Sequence, residues 1–326
     1  MMCIPPGCNS VFRGAGRKCG DAVIRQAIAG VVAGLAMLVV APSIQAEPLR
    51  VASLHPIASD LARQVGGDRV VVTDLMPLDS NPHTFYPSPG SLKTASDSEL
   101  VLAAGKGMET YLEEFRESLG GGVRVFEVGK AVPSLKVEAD EVFVCCPAHA
   151  HGAIDPHWWH SIKNMRRASA ALAEEFSRLR PEYRDTYMDR QKAYAARLDA
   201  LYGWAKKEVA RIPWSDRELT TAHAAFGYLC REMGLRSITV LGLTTAHEPE
   251  PGYLKEVVRQ LREHQVRAVF PESTANPNVL ASIARETGVT IGGVLHADML
   301  GTQDPDYETM MRHNIATIVE ALGRKE

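Results

Sequence analysis

From residue 49 to residue 128 the chain alternates short β-branched apolar runs with stretches in which apolar residues recur every three or four positions. The runs at 49–54, 70–75, 100–103 and 123–128 predict strands, and the stretches at 57–65, 91–96 and 109–119 predict helices. Gly66-Gly67-Asp68 and Gly120-Gly121-Gly122 punctuate them as turns. The same alternation returns after Pro213, with strands at 218–222, 237–241, 267–270 and 289–294 and helices at 224–233, 253–263, 278–287 and 307–322. Strands separated by helices predict an α/β architecture with parallel sheets, here in two lobes. Between the lobes lies an acidic stretch up to Gly152 with no clear period, which reads as a loop. Asp155 then offers a helix N-cap and Pro156 a first helical residue, and an apolar stripe follows through Met165, Ala168, Leu172 and Phe176. Pro181 opens a further helical stretch whose stripe of Tyr183, Tyr187, Tyr194, Leu198, Leu201, Ala205 and Val209 holds until Pro213. About thirty residues at 1.5 Å each make a rod of roughly 45 Å, long enough to carry both lobes. The expected organisation is a leader at 1–46, an N-terminal lobe with the seam at 47–180, a linking helix at 181–212 and a C-terminal lobe at 213–326.

At 326 residues, 45% hydrophobic and 23% charged, the chain can form two domains of ordinary size. Its formal charge is −3, but residues 1–46 hold Arg13, Arg17, Lys18 and Arg25 against Asp21, so the remainder carries −6. That sign argues against nucleic acid as a partner. The first 46 residues also have the grammar of a secretory signal: a basic region, an apolar run from Ala27 to Val40, Pro42, and the small Ala46 before Glu47. The apolar run falls short of the roughly 20 residues that a spanning helix needs, so cleavage after Ala46 is expected. Cys3, Cys8 and Cys19 would leave with the leader, and Cys145, Cys146 and Cys230 would remain. In an oxidising compartment three cysteines predict one disulfide, joining Cys230 to Cys145 or Cys146, and one thiol left over.

Candidate chemistry gathers at four places. Asn81-Pro82-His83 and Asp155-Pro156-His157 repeat one Asx-Pro-His grammar, and a rigid turn that fixes an imidazole suits a metal ion. Thr221-Ala222-His223 places a third histidine where a strand gives way to a helix, and Ala297-Asp298 places a carboxylate beyond the last strand. Open α/β sheets bind ligands outside the carboxyl ends of their strands, so a cleft between lobes would collect His83, His157, His223 and Asp298. Three imidazoles and one carboxylate suit tetrahedral Zn²⁺, whereas Mn²⁺ prefers more oxygen. Glu272, in Phe270-Pro271-Glu272-Ser273, is a candidate general base, lobe contact or support for a ligand, and Asp155 is a candidate support as well. His149 and His151 on the acidic loop are candidates for metal capture. His55, His160, His247, His264, His296 and His313 are expected to be structural or solvated, and Trp158 and Trp159 to be packing.

In order along the chain, Asn81-Pro82-His83-Thr84-Phe85, Asp155-Pro156-His157-Trp158-Trp159, Thr221-Ala222-His223-Ala224-Ala225-Phe226-Gly227-Tyr228 and Ala297-Asp298-Met299-Leu300-Gly301 resemble the metal-site motifs of solute-binding proteins from bacterial zinc and manganese ABC transporters, the cluster A-I family. The resemblance runs from about residue 51 to residue 322. It implies two α/β lobes joined by one rigid helix, and a cleft site built from His83, His157, His223 and Asp298. It further implies delivery of the metal to an inner-membrane ABC permease; the leader places the expected protein in the periplasm, and a monomer that is not an enzyme is expected. Manganese-type relatives commonly have Glu where this chain has His223, so zinc is the expected ion and manganese or another divalent metal the alternative. Zinc members often carry a long His- and acid-rich loop before Asp-Pro-His. Here it shrinks to His149-Ala150-His151 beside Cys145-Cys146, which looks more like short-loop zinc-binding proteins of the Azt type, and a periplasmic metallochaperone is a candidate partner. The rival classes are a secreted zinc hydrolase, which would need an open coordination position and a base, and a haem or siderophore carrier on the same architecture.

Overall fold

The structure, a computed structural model, describes residues 47–77, 80–136, 153–240, 243, 251–273, 277–301, 303 and 305–323. The capture candidates His149 and His151 lie outside these residues, as do His247 and the cysteines Cys145 and Cys146 expected to pair with Cys230.

The first sheet contains β1 (Leu49–Ser53), β2 (Val70–Asp74), β3 (Leu100–Ala103) and β4 (Arg124–Glu127), all parallel in the order β2-β1-β3-β4. The second contains β5 (Glu218–Thr221), β6 (Arg236–Thr239), β7 (Ala268–Phe270) and β8 (Thr290–Ile291) in the order β6-β5-β7-β8. Each lobe therefore repeats one topology although no residue-level repeat is legible. The flanking helices are α1 (Pro56–Gly66), α2 (Pro89–Ser96), α3 (Leu112–Ser118), α4 (Ile162–Leu179), α5 (Arg184–Val209), α6 (Gly227–Met233), α7 (Pro251–Glu263), α8 (Pro277–Thr287) and α9 (Tyr307–Leu322).

Strand alternation distributes the apolar side chains between two layers on each sheet. Leu49, Val51, Leu100 and Leu102 face α4 and α5, whereas Ala52, Val101 and Ala103 face α2 and α3. In the second sheet Ala268 and Phe270 join the central core and Val269 turns to α7 and α8. The central core is continuous from the first sheet through Met165, Leu172 and Phe176 of α4 and Tyr187, Tyr194, Leu198 and Leu201 of α5 to Tyr307, Met311 and Ile315 of α9. The long helix α5 thus supports both lobes. It is preceded by a separate 3₁₀ turn at Pro181–Tyr183, so its 26 residues span roughly 39 Å at 1.5 Å each.

A polar cross-link accompanies this packing. Asp60 of α1 accepts the backbone N–H of Tyr307, the first residue of α9, at 3.0 Å, so a carboxyl from one lobe meets a helix N-terminus of the other. Arg197 of α5 donates to Glu308 at 2.7 Å and to Gln64, bridging α9 and α1.

Several boundaries depart from the sequence reading for identifiable reasons. Asp155 does not cap a helix: the chain makes a 3₁₀ turn at Trp158–His160, and α4 begins at Ile162 with Ser161 as its N-cap, accepting from Asn164 N at 3.1 Å. Trp158, Trp159 and His160 are all fully buried, and three consecutive α-helical side chains would fan over about 200°, too wide for one covered face. Glu109 does not start α3; its carboxyl turns back to accept Ala104 N at 2.6 Å and Gly105 N at 2.9 Å. The last strand ends at Ile291, although Gly292 N still donates to the Val269 carbonyl at 2.9 Å, and Gly292 lies against the Phe270 ring, where an added Cβ would stand 2.5 Å from a ring carbon. The chain rejoins the sheet at an isolated bridge between Glu272 and Leu295, which leads directly to Asp298.

Candidate metal centre

Each of the four candidate ligands is held by its own local device. Asn81 Oδ1 accepts the N–H of His83 at 2.9 Å while the Asn81 carbonyl accepts from Thr84 and Phe85, a tight turn that projects the imidazole. Asp155 Oδ1 accepts both the N–H and the Nδ1–H of His157, each at 2.8 Å. Thr221 donates its hydroxyl to the His223 carbonyl at 2.8 Å, which turns the chain out of β5 and delays α6 until Gly227. Glu272 then takes both donors of His223, the N–H on Oε1 at 3.0 Å and the Nδ1–H on Oε2. Ahead of Asp298, the buried Asn314 exchanges two hydrogen bonds with the backbone of His296, at 2.9 and 2.8 Å.

These devices bring the four side chains to one point. The Nε2 atoms of His83 and His157 are 3.3 Å apart, as are those of His157 and His223. Asp298 Oδ1 lies 3.4 Å from His83 Nε2, 3.3 Å from His157 Nε2 and 3.5 Å from His223 Nε2. Four donors about 2.0–2.1 Å from a central ion in a tetrahedron stand about 3.3–3.4 Å from one another, so the separations fit a four-coordinate ion. The site is nearly closed: the side chains of His157, His223 and Asp298 are 0% exposed and that of His83 is 7% exposed, which makes His83 the side of entry.

With Asp155 and Glu272 at the Nδ1 positions of His157 and His223, it is Nε2 that each ring turns to the common centre, the nitrogen that would bind a metal once it has lost its proton. Burial opposes charge on His157, but its hydrogen bonds to Asp155 and Asp298 outweigh that and raise its pKa. The same contest on His223 is won by Glu272 and Asp298, which hold it well above the usual imidazole range. Burial lowers His83. Burial likewise acts against ionised Asp298, yet the surrounding imidazoles, His223 first, hold it well below the ordinary carboxylate range. Buried carboxylates thus favour positive charge on the imidazoles at the centre, and a divalent cation would supply that charge in place of the protons.

All four sequence-predicted ligands meet here, and Asp155 and Glu272 stand directly behind two of them. With both oxygens engaged by His223, Glu272 is a support for that ligand. Sequence reasoning missed Trp159 and His160 as parts of the site. Trp159 Nε1–H donates to the Ala297 carbonyl at 2.8 Å, and His160 Nε2 lies 2.7 Å from the same oxygen. It also missed His55, which is buried, caps α1 by accepting from Ile57 N at 3.3 Å, and stacks on Trp159 at 4.6 Å. His55 and His160 sit two residues after β1 and three after His157, but that placement alone does not separate a buried imidazole from a solvated one. Cys230 is buried in α6.

Two parallel-sheet lobes on a long helix, with a buried His₃Asp centre between them, define a two-lobed metal-binding protein. Residues 51–321 match the family described as ZnuA, zinc-uptake complex component A, periplasmic, and the chain belongs to that family. It is 34% identical to the manganese-binding lipoprotein MntA of Bacillus subtilis (strain 168), over 85% of this chain and 90% of that one. It is 28% identical to the iron-binding protein YfeA of Yersinia pestis, over 87% of this chain and 89% of that one. Among solved structures it is similar to the periplasmic zinc binding protein TroA from Treponema pallidum, with a TM-score of 0.77 and 28% identity over 86% of this chain and 100% of that one.

Proposed function

We propose that the protein is an exported, non-enzymatic carrier that binds one Zn²⁺ through His83, His157, His223 and Asp298 and delivers it to an inner-membrane ABC permease. The observation that carries the reading is that Asp298 Oδ1 lies 3.3–3.5 Å from all three Nε2 atoms and that His157 Nε2 lies 3.3 Å from those of His83 and His223. Such a set matches zinc in both donor type and geometry, while manganese favours more oxygen donors and a higher coordination number. Transport suits the site better than hydrolysis because Asp298 takes the fourth position and Glu272, the candidate base, is committed to His223. Manganese is the second reading, favoured by the 34% identity to a manganese-binding protein. Elemental analysis of the protein purified from the cells that export it, with both metals in the medium, separates the two, because raw affinity favours Zn²⁺ over Mn²⁺ in almost any such site. One zinc per chain is the expected result, and a manganese-loaded protein would select the second reading. Two peripheral proposals belong to this account: that His149 and His151 assist capture, and that Cys230 pairs with Cys145 or Cys146. Unchanged transfer rates from a chelator after replacing both histidines with Ala would remove the first, and three titratable thiols in the denatured, unreduced mature protein would remove the second.

A further inference from the structure

The carbonyl of Ala297 belongs to the peptide that leads into Asp298, and two ring donors converge on it. Trp159 Nε1–H donates at 2.8 Å, and His160 Nε2 lies at 2.7 Å. A carbonyl oxygen only accepts, so His160 carries its proton on Nε2 and its Nδ1 is bare. That Nδ1 is buried with no hydrogen-bond partner among the described residues. A buried polar atom in that condition is a net cost to the fold, and an aliphatic side chain at residue 160 would not carry it. What the imidazole supplies in return is the second donor to Ala297.

One donor sets a direction for a carbonyl. Two donors occupy both lone pairs and fix the plane of the peptide, and with it the direction in which the Asp298 side chain leaves the backbone. The position of His160 adds to this. It lies three residues after His157, its ring packs at 4.4 Å on Phe226, which lies three residues after His223, and its proton meets the residue before Asp298. A single buried ring therefore touches the segments that carry three of the four ligands. Burial holds it neutral, with its pKa pulled down to about 3, so the donor persists at neutral pH.

We propose that His160 is a positioning residue that sets the metal selectivity of the centre by clamping the Ala297 carbonyl and so holding Asp298 as a single-oxygen ligand at tetrahedral distance. An ion with more coordination positions gains when a carboxylate swings to offer both oxygens, and the clamp opposes that movement. The inference rests on the four-ligand reading of the site.

The test compares wild type with His160→Leu, His160→Gln and Trp159→Phe, measuring Zn²⁺ and Mn²⁺ affinity by competition with a chromophoric chelator. Loss of the donor in His160→Leu is expected to weaken zinc about 10–100-fold, the range seen when supports behind metal ligands are removed, and to leave manganese within about threefold, so that selectivity collapses. His160→Gln, which can present an N–H at the same reach, is expected to recover most of it. Trp159→Phe, which keeps an aromatic ring but removes the N–H, is expected to move selectivity in the direction of His160→Leu. In an Asp298→Ala background His160→Leu is expected to add no further loss, because it acts through Asp298. An unchanged zinc-to-manganese ratio in both His160→Leu and Trp159→Phe overturns the inference while leaving the site intact. So does an equal loss for His160→Leu with and without Asp298. Wild-type protein that takes up neither ion overturns the site and the inference together.

Discussion

Asp155 grips His157 twice with one oxygen, accepting the backbone N–H and the ring Nδ1–H each at 2.8 Å. Glu272, in the second lobe, takes the same two donors of His223 with one oxygen each. Both carboxylates fix a tautomer and a ring direction, and both make the ligand nitrogen more basic toward a cation. Asp155→Ala and Glu272→Ala are each expected to weaken zinc roughly 10–100-fold while the stoichiometry stays at one. Chelator competition on the purified variants checks this. An affinity within twofold of wild type in either variant would show that its carboxylate does not support the ligand.

Metal binding should release protons. His157 and His223 are held above the ordinary imidazole range in the metal-free protein, chiefly by Asp155 for the first and Glu272 for the second against the opposing effect of burial. With His223 held well above the ordinary range, a proton occupies the nitrogen where the ion must bind, and the rise on His157 acts in the same direction, so affinity falls as pH falls. Calorimetric titration in buffers of differing ionisation enthalpy is expected to show net proton release at pH 7 and a steep loss of affinity toward pH 5. A binding heat that does not depend on the buffer would contradict it.

The Asp60–Tyr307 contact makes a stability prediction with a definite sign. Burial pushes the Asp60 carboxyl up from 3.8 to about 6, so the folded state favours the protonated form. Its stabilising contribution is therefore full below the unfolded pKa and is lost as pH rises through about 6. Asp60→Asn, which keeps an acceptor for the Tyr307 N–H and cannot ionise, should escape that loss. Its stability relative to wild type is expected to improve by about 3 kcal/mol between pH 3.5 and pH 7, at about 1.4 kcal/mol per pKa unit. Chemical denaturation of the two metal-free proteins at both pH values measures the change, and a pH-independent difference would place the Asp60 pKa elsewhere.

The architecture was legible because strand alternation and helical stripes are long-range patterns. Thus β3 and α9 fall where the sequence places them, and the remaining predicted elements differ chiefly at their ends. The four candidate ligands were legible because Asx-Pro turns and strand ends are local signals, and because their order matches a known set of motifs. The start of α4 was not, because Asp155 serves equally well as a helix cap and as a partner for His157, and the burial of three consecutive large side chains decides between them. His160 was missed for a related reason. Its partner is a backbone carbonyl 137 residues away, and no local pattern announces such a contact.

The central claim is that His83, His157, His223 and Asp298 together hold one zinc ion. Zinc titration of wild type and of the four single Ala variants under chelator competition tests it most directly. One ion per wild-type chain is predicted, with the largest loss for His157→Ala and His223→Ala, which each remove an imidazole donor held by a carboxylate, and a milder loss for Asp298→Ala if water replaces the carboxylate oxygen. Wild-type affinity retained in two or more of the four variants would contradict it.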